Sequence, residues 1–196
     1  VFYDLGLSKS QVNFIKDRFS NVEYKRFNFN KYPSFVSKKD SDSKIGSYSW
    51  KSIIIKDSLD AYKINTLWLD AGCIITKKLS LIRLILNNRG IYIASSVGKI
   101  IDWTHISSRT KLGLNEKYLN KKNFASGMVG INPKKEKYIS LIEKWVNFSL
   151  DQDIIAPEGS SRKNHRQDQA ILTMLIYQNK VNLFLSRTHK IFGITI

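Results

Sequence analysis

Strand-like and helix-like patterns of apolar residues follow one another along this chain. Residues 1–3 have the pattern of a strand. After them, Ser8 and Gln11 have the spacing of a helix capping box, which predicts a helix that buries Val12, Ile15 and Phe19. Because strands and helices alternate in this way, the sequence predicts an α/β layered domain.

The same two periodicities predict the remaining elements. Further strands are expected at residues 22–27, 65–72, 91–94, 124–131 and 181–185. Further helices are expected after Ser47 as the capping residue, at 79–86, around Trp145, and from 164–167 onward. Polar or aperiodic residues predict loops at 30–47, 96–123 and 151–164, and long irregular segments in compact domains are often functional.

Length and composition limit the class of protein. With 196 residues, of which 42% are hydrophobic, we expect a single domain spanning residues 1–196 with a packed core. The longest apolar runs are far shorter than the roughly 20 residues that cross a bilayer. The one cysteine, Cys73, excludes an intrachain disulfide and a cysteine-cluster zinc site.

The chain starts within a predicted strand and without a methionine, so we expect an N-terminal truncation that removes the first strand of the domain. Localisation therefore stays open. A cytoplasmic or membrane-peripheral location is favoured, with the lumen of the secretory pathway as the alternative.

The charge balance favours anionic partners. Thirty-two Lys and Arg against sixteen Asp and Glu give a net charge of +16, which attracts nucleic acid, acidic lipid or a diphosphate ligand. The basic residues are spread along the chain, and a codon bias toward Lys, Asn and Ile explains them equally well. Basic and aromatic residues are not interleaved as in nucleic-acid modules, so nucleic acid is disfavoured, whereas peripheral contact with an anionic membrane stays open.

Three polar features stand where ligands commonly bind. Asp70 and Gly72 end a buried strand, where a carboxylate could meet a metal or a ribose, or simply cap a turn. Ser126 and Gly127 lie inside an apolar strand, where a glycine indicates either a bulge or a close ligand. Residues 165–169 (HRQDQ) open a helix, whose N-terminus attracts anions, with Arg166 as a phosphate contact; an ordinary polar first turn is the alternative.

Other chemistries lack their motifs. The sequence contains no glycine-rich phosphate loop, no HExxH motif, no Gly-x-Ser-x-Gly nucleophile elbow and no zinc-ligand spacing. His105 is interpreted as a solvated or hydrogen-bonded residue. Lys51 beside Trp50 is either a surface charge or a ligand contact.

With these residues in order, the chain resembles glycosyltransferase-like proteins with the nucleotide-diphospho-sugar (GT-A) fold, and more distantly the glycogenin-type retaining transferases. The matching blocks span nearly the whole chain: residues 3–8 (YDLGLS), 31–33 (KYP), 48–51 (YSWK), 68–72 (WLDAG), 124–132 (FASGMVGIN) and 165–169 (HRQDQ). The resemblance implies a Rossmann-like α/β fold with a mixed central sheet flanked by helices.

The resemblance also implies roles for individual residues. Catalytic roles fall on Asp70, Asp168 and Gln169, and donor contacts on Asp4, Lys51, Asp70, Gly72, Ser126, Gly127 and Arg166. The related enzymes hold Mn²⁺ or Mg²⁺ with an Asp-x-Asp motif and a late histidine, which correspond here to Asp70 and His189. The second carboxylate of that motif is missing, so cations such as Lys51 and Arg166 could neutralise the diphosphate instead.

The resulting hypothesis is a glycosyltransferase that moves a sugar from a nucleoside-diphosphate donor, with a UDP-sugar favoured, to a hydroxyl acceptor on a glycan or surface polysaccharide. The distant similarity suggests retention of configuration. The alternative is a catalytically inactive basic module that binds nucleic acid or an anionic membrane. A nucleotidyltransferase with a similar sheet is a third possibility.

Overall fold

A computed structural model of the protein describes residues 1–39, 43, 45–183 and 194–195. The strands are β1 (Phe2–Asp4), β2 (Tyr24–Arg26), β3 (Thr66–Leu69), β4 (Ile74–Ile75), β5 (Ile91–Lys99), β6 (Lys122–Ile131) and β7 (Ile194–Thr195). The helices are α1 (Lys9–Arg18), α2 (Ser49–Tyr62), α3 (Ser80–Arg89), α4 (Ile100–Trp103), α5 (Ile106–Lys111), α6 (Glu136–Ser149), α7 (Gln152–Ile155) and α8 (Gln167–Gln178). The α/β class expected from the sequence is confirmed.

Strands β1 and β2 form a parallel pair connected through α1. The predicted capping box is present: the Ser8 hydroxyl accepts the Gln11 N–H, and the Gln11 side chain accepts the Ser8 N–H. The predicted burial of Val12, Ile15 and Phe19 is wrong, since no residue of α1 is buried and Phe19 is exposed. The two-stranded sheet beside α1 is too narrow to cover its apolar side.

The larger sheet has the order β3-β6-β5 and is antiparallel throughout. Trp68 of β3 and Ile93 of β5 both pair with Val129 of the central strand β6. Strands β4 and β7 form a separate antiparallel pair. Among the described residues, parallel pairing is therefore confined to β1 and β2, and the expected mixed arrangement is divided between separate sheets.

Helices cover both faces of the antiparallel sheet. On one face, Val129 and Ile131 pack with the apolar sides of α2, α6 and α8, including the fully buried Trp145. On the other face, Met128 packs with Tyr92 and with the inner side of α3. Successive side chains of β6 point to opposite faces, which divides its apolar residues between the two clusters.

Three sequence-based boundaries change. The segment 96–123 contains the end of β5, helices α4 and α5 and the start of β6, and the predicted loop 151–164 contains α7. The N-cap residue of α2 is Tyr48 rather than Ser47, because α2 starts at Ser49. Both residues have left-handed backbone angles, and the Tyr48 side chain makes no capping hydrogen bond. Residues 181–183 form no strand, and the rest of the predicted strand 181–185 lies outside the described residues.

A cavity of about 530 Å³ lies between β1 and β3, over the side of α2. Each of these strands is paired on one edge only among the described residues. The Asp70 N–H donates to the Gly127 carbonyl of β6. Leu67 and Leu69 alternate with the residues bonded to β6, so their backbone N–H and C=O groups point to the unpaired edge.

No helix within the described ranges has the length and apolar character needed to cross a bilayer.

Candidate functional site

Lys51 stands at the centre of a cluster of polar side chains inside the protein. The first turns of α2 are buried, and they carry Lys51 into the interior, where its side chain is 3% exposed. Its Nζ atom lies 3.1 Å from Asp70 Oδ1, 3.2 Å from Asp168 Oδ2 and 3.4 Å from Ser126 Oγ. Four separate segments of the chain therefore meet at one ammonium group.

The two carboxylates keep this ammonium group charged. Burial alone lowers the pKa of Lys51, but the negative charges of Asp168 and Asp70 reverse this effect and raise it above its usual value. Burial raises the pKa of Asp168, against the opposing influence of Lys51 and of the Ser126 hydroxyl. Because no hydrogen bond reaches Asp168 Oδ2, the ion pair with Lys51 is what compensates that oxygen.

Asp70 is held from inside and still reaches solvent. Its N–H donates to the Gly127 carbonyl at 2.9 Å, and the Trp68 Nε1–H donates to its Oδ1 at 2.7 Å. Trp68 is two residues earlier on β3, so the two side chains share a face of the strand. The Asp70 side chain is 44% exposed, which leaves it able to contact a ligand.

Gly127 provides the space for this carboxylate. A Cβ atom at Gly127 would lie 2.8 Å from Asp70 Oδ2, so a larger residue would displace it. Asp70 meets the middle of β6 rather than a strand end, because β3 and β6 are antiparallel. Asp70 directly follows the end of β3, as the sequence predicts, but the strand beside it runs antiparallel, and the role of Asp70 as a ligand contact stays a prediction.

Asp168 belongs to the first turn of α8. A negative charge there is favoured by the helix dipole. The Trp145 Nε1–H donates to the Asp168 carbonyl at 3.0 Å, and Thr173 Oγ1 accepts the Phe124 N–H, which fixes α8 against α6 and β6. The carboxylate is thus positioned by a rigid framework.

The backbone is strained at the two helix starts that supply Lys51 and Asp168. Ser47 and Tyr48 precede α2 with φ values of +48° and +63°, and Gln167 begins α8 with φ of +46°. Left-handed angles cost a non-glycine residue roughly 1–2 kcal/mol. Such strain is concentrated at functional sites in many proteins, so it supports a functional role for this cluster.

Asp4 lies in a different network. Its carboxylate accepts the N–H groups of Gly6 and Leu7 and the Tyr24 hydroxyl, and it pairs with Arg26 at 3.4 Å. Burial opposes ionisation, yet these hydrogen bonds hold the pKa of Asp4 below its usual value. One oxygen thus has its partners in the turn after β1 and the other has its partners on β2, and the predicted donor contact of Asp4 stays a prediction.

The other predicted residues surround the cluster without joining it. The Arg166 guanidinium stacks on Trp103 at 4.1 Å, and the Gln169 N–H donates to the Arg166 carbonyl. Gly72 is exposed, with open space where a side chain would lie. His189 lies outside the described residues, so its predicted role as a metal ligand has no structural account.

His165 is the buried group that sequence reasoning did not single out. Its Nδ1 accepts the His105 N–H at 3.2 Å, which leaves Nε2 to donate to the Ile155 carbonyl at 3.1 Å. Burial lowers the pKa of His165 to about 4, so the ring is neutral near pH 7. It ties the start of α8 to α5 and α7 and fixes the loop that carries Arg166.

The described residues do not by themselves fit a divalent metal ion. Among them, no three His, Cys, Asp or Glu side chains are grouped so as to hold one. Asp70 is the exposed carboxylate of the cluster, and both its oxygens contact the Lys51 ammonium. The expectation of Mn²⁺ or Mg²⁺ therefore stays a prediction from the resemblance.

Two residues that contact the cluster, Tyr48 and Trp68, were not predicted from the sequence as site residues. The Tyr48 ring lies 5.2 Å from Lys51 Nζ, and Trp68 Nε1 orients Asp70. Trp68 could have been found, because it is two residues before Asp70 on the same strand. Tyr48 depends on a left-handed backbone angle that no residue type in this segment indicates.

Comparison with known proteins gives two similarities. Residues 1–56 match the model of a family described as "Protein of unknown function (DUF1647)". No curated protein matches the chain. Among solved structures, the chain is similar to the apo form of mouse xyloside xylosyltransferase 1, with a TM-score of 0.50 and 13% sequence identity over 90% of this chain and 68% of that one. At this identity the similarity concerns the fold, so the chain has a glycosyltransferase-like fold.

Proposed function

We propose that this protein transfers a sugar from a nucleoside-diphosphate donor to a hydroxyl acceptor. One observation carries the proposal: the buried ammonium of Lys51 lies within 3.2 Å of Asp70, which reaches solvent, and of Asp168, which does not. A buried charge cluster that opens at one carboxylate, on strained helix starts, is typical of a binding site rather than of a packing core.

In this proposal, different residues of the site bind different parts of the donor. Lys51 and Arg166 supply positive charge for the diphosphate, and the N-terminus of α8 adds its dipole. Asp70 holds the Lys51 ammonium beside the diphosphate, because two anionic groups need a cation between them. We assign Ser126, Asp168 and Gln169 to the transferred sugar, and Asp4 and Gly72 to the nucleotide.

The reaction exchanges one bond of the sugar for another. The bond between the anomeric carbon and the diphosphate oxygen breaks, and a bond to the acceptor oxygen forms. The acceptor proton leaves with the nucleoside diphosphate or to solvent. Positive charge from Lys51 and Arg166 stabilises the negative charge that develops on the leaving diphosphate. The distant resemblance in sequence to glycogenin-type enzymes favours retention, a UDP-sugar donor and a carbohydrate acceptor, as in polysaccharide biosynthesis.

The test is a panel of nucleoside diphosphates and UDP-sugars with and without Mn²⁺. Binding is measured as a shift of the thermal midpoint, and turnover as hydrolysis of the donor. We expect at least one donor to stabilise the chain and to be hydrolysed. Asp70→Asn and Asp168→Asn should each reduce hydrolysis at least about tenfold, because each removes one negatively charged partner of Lys51.

Asp60→Asn is the matched control, since Asp60 pairs with Lys56 on the exposed side of α2. It should bind and hydrolyse donors like the wild type. Full activity of both site variants would refute the site assignment. Failure of every donor to stabilise the wild-type chain would favour the basic binding module instead.

A further inference from the structure

Exposed apolar and basic side chains follow one another along the chain from strand β4 to the outer side of α3, in a segment that the proposed function does not use. We call this set of side chains the α3–β4 surface and define it by Ile74, Ile75, Lys77, Lys78, Leu81 and Leu84. Helix α3 buries Ile82, Ile85 and Leu86 against the sheet, so its inner side has a structural role. The outer side has no such partner among the described residues.

This surface exposes large apolar side chains. Leu84 is 59% exposed and Ile74 is 65% exposed, while Leu81 and Ile75 are 42% and 54% exposed. Leu81 and Leu84 are three residues apart on α3, so they lie side by side on the helix. Apolar residues at this spacing on the outer side of a helix indicate contact with something less polar than water.

The charge around these residues has one sign. Residues 71–101 contain no Asp or Glu but contain Lys77, Lys78, Arg83, Arg89 and Lys99. Lys77 and Lys78 are exposed and lie between the apolar residues of β4 and those of α3. The chain has half as many acidic as basic residues, and 71–101 is its longest segment without Asp or Glu. This segment begins directly after Asp70 of the candidate site.

We propose that the α3–β4 surface binds an anionic membrane in the plane of the lipid headgroups. Exposed leucines and isoleucines enter the boundary of headgroups and acyl chains, and adjacent lysines pair with acidic headgroups. Nucleic acid fits less well, because exposed aliphatic side chains gain nothing from phosphates. The surface begins four residues after Asp70, so binding would place the candidate site near the membrane.

This inference does not depend on sugar transfer. None of its six residues belongs to the Lys51 cluster, so donor binding and membrane binding can fail separately. Two variants test it: Lys77→Gln with Lys78→Gln, and Leu81→Gln with Leu84→Gln. The matched controls are Lys134→Gln with Lys135→Gln, an exposed basic pair after β6, and Phe14→Gln, an exposed aromatic residue on α1.

Binding is measured by co-sedimentation with vesicles of phosphatidylcholine alone or with about one-third phosphatidylserine. The wild type should bind the acidic vesicles and not the neutral ones. The lysine variant should lose about 30-fold in partitioning, from roughly fivefold for each lysine. The leucine variant should lose about tenfold. Both controls should bind like the wild type, and circular dichroism should show all variants folded.

Three results would overturn the inference. The wild type would fail to bind acidic vesicles at physiological ionic strength, or the controls would lose as much binding as the test variants. Alternatively, the leucine variant would bind normally while a DNA duplex competes with the vesicles, which would identify a nucleic-acid surface. The thermal shift caused by donors should change no more in the test variants than in the Lys134→Gln with Lys135→Gln control, so a failure here leaves the proposed function intact.

Discussion

At the scale of single residues, the buried positive charge of Lys51 and the negative charges of its two carboxylate partners stabilise each other. The Lys51 side chain is buried between Asp70 and Asp168. Lys51→Met should lower the free energy of unfolding by about 3–5 kcal/mol, because it leaves Asp168 buried without a counter-charge. Urea unfolding measures this loss.

The matched control is Lys56→Met, which removes a partly exposed ion pair on the same helix. It should cost about 1 kcal/mol or less. Adding Asp168→Asn to Lys51→Met should restore part of the stability, since the unpaired charge is then gone. If Lys51→Met and Lys56→Met cost the same, the Lys51 cluster is solvated rather than buried.

Alanine substitutions of Gly127 and Gly72 test how closely the chain surrounds the Asp70 carboxylate. Gly127→Ala should cost about 1–3 kcal/mol and weaken donor binding at least about tenfold, because the new Cβ displaces the Asp70 carboxylate. Gly72→Ala meets open space and should change stability by no more than about 0.5 kcal/mol. Urea unfolding and the thermal shift caused by donors measure both effects.

Gly72→Ala also separates two interpretations of that residue. Weakened donor binding at unchanged stability would support the prediction that a ligand approaches the backbone at Gly72. Unchanged donor binding would contradict it. Equal effects of the two substitutions on donor binding would show that the Asp70 carboxylate is not confined by Gly127.

His165 should make stability depend on pH. The unfolded ring takes up a proton near pH 6.5, whereas burial lowers the pKa in the folded state to about 4. The unfolded state therefore binds more protons, and the contribution of His165 is complete above pH 6.5 and declines as the pH falls toward 4. Its full size is about 3 kcal/mol.

The measurement is urea unfolding between pH 7 and pH 4 for the wild type and His165→Gln. Glutamine offers an acceptor and a donor but does not titrate, so the variant should lose less stability over this range. Parallel curves for the two proteins would contradict the neutral, hydrogen-bonded ring. His105→Gln is the control for substituting the neighbouring histidine.

At the scale of elements, β3 shows how an edge differs from a paired strand. Trp68 and Leu67 are adjacent, but only the Trp68 N–H lies on the side of β6. The amides of Leu67 and Leu69 should therefore exchange with solvent much faster than that of Trp68, as followed by hydrogen exchange and NMR. Equal protection would show that a further segment pairs with this edge in solution.

Most elements could be predicted because their signals are local. The capping box at Ser8, the apolar strand before Asp70 and the periodic helix around Trp145 depend on residues close in sequence. Strand direction does not. The antiparallel placement of β3 beside β6 depends on a partner about sixty residues away, and periodicity carries no information about it.

The same limit applies to the candidate site. Sequence order brought Lys51, Asp70, Ser126 and Asp168 together through a family resemblance, and the structure places these four in contact. The resemblance could not distinguish them from Asp4, whose oxygens are occupied by the turn after β1 and by Tyr24 of β2. That distinction depends on hydrogen-bond partners, which only the folded chain supplies.

At the scale of the whole molecule, the charge of +16 complicates every test of a phosphate ligand. Any polyanion reduces the repulsion among basic residues and stabilises the folded chain. A thermal shift with a nucleoside diphosphate is therefore meaningful only in excess over an anion of the same charge that lacks a nucleoside. Inorganic pyrophosphate is that reference.

We expect UDP to raise the thermal midpoint more than pyrophosphate does at equal ionic strength, because a nucleoside adds contacts that a general charge effect does not require. Rising salt should reduce the pyrophosphate shift strongly, since it depends on screened charges. Gly127→Ala should reduce the UDP shift more than the pyrophosphate shift, whereas Lys134→Gln with Lys135→Gln should reduce both shifts slightly and leave the excess. If UDP and pyrophosphate produce the same shift at every salt concentration, the positive charge alone explains the binding, and the Lys51 cluster is not a nucleotide site.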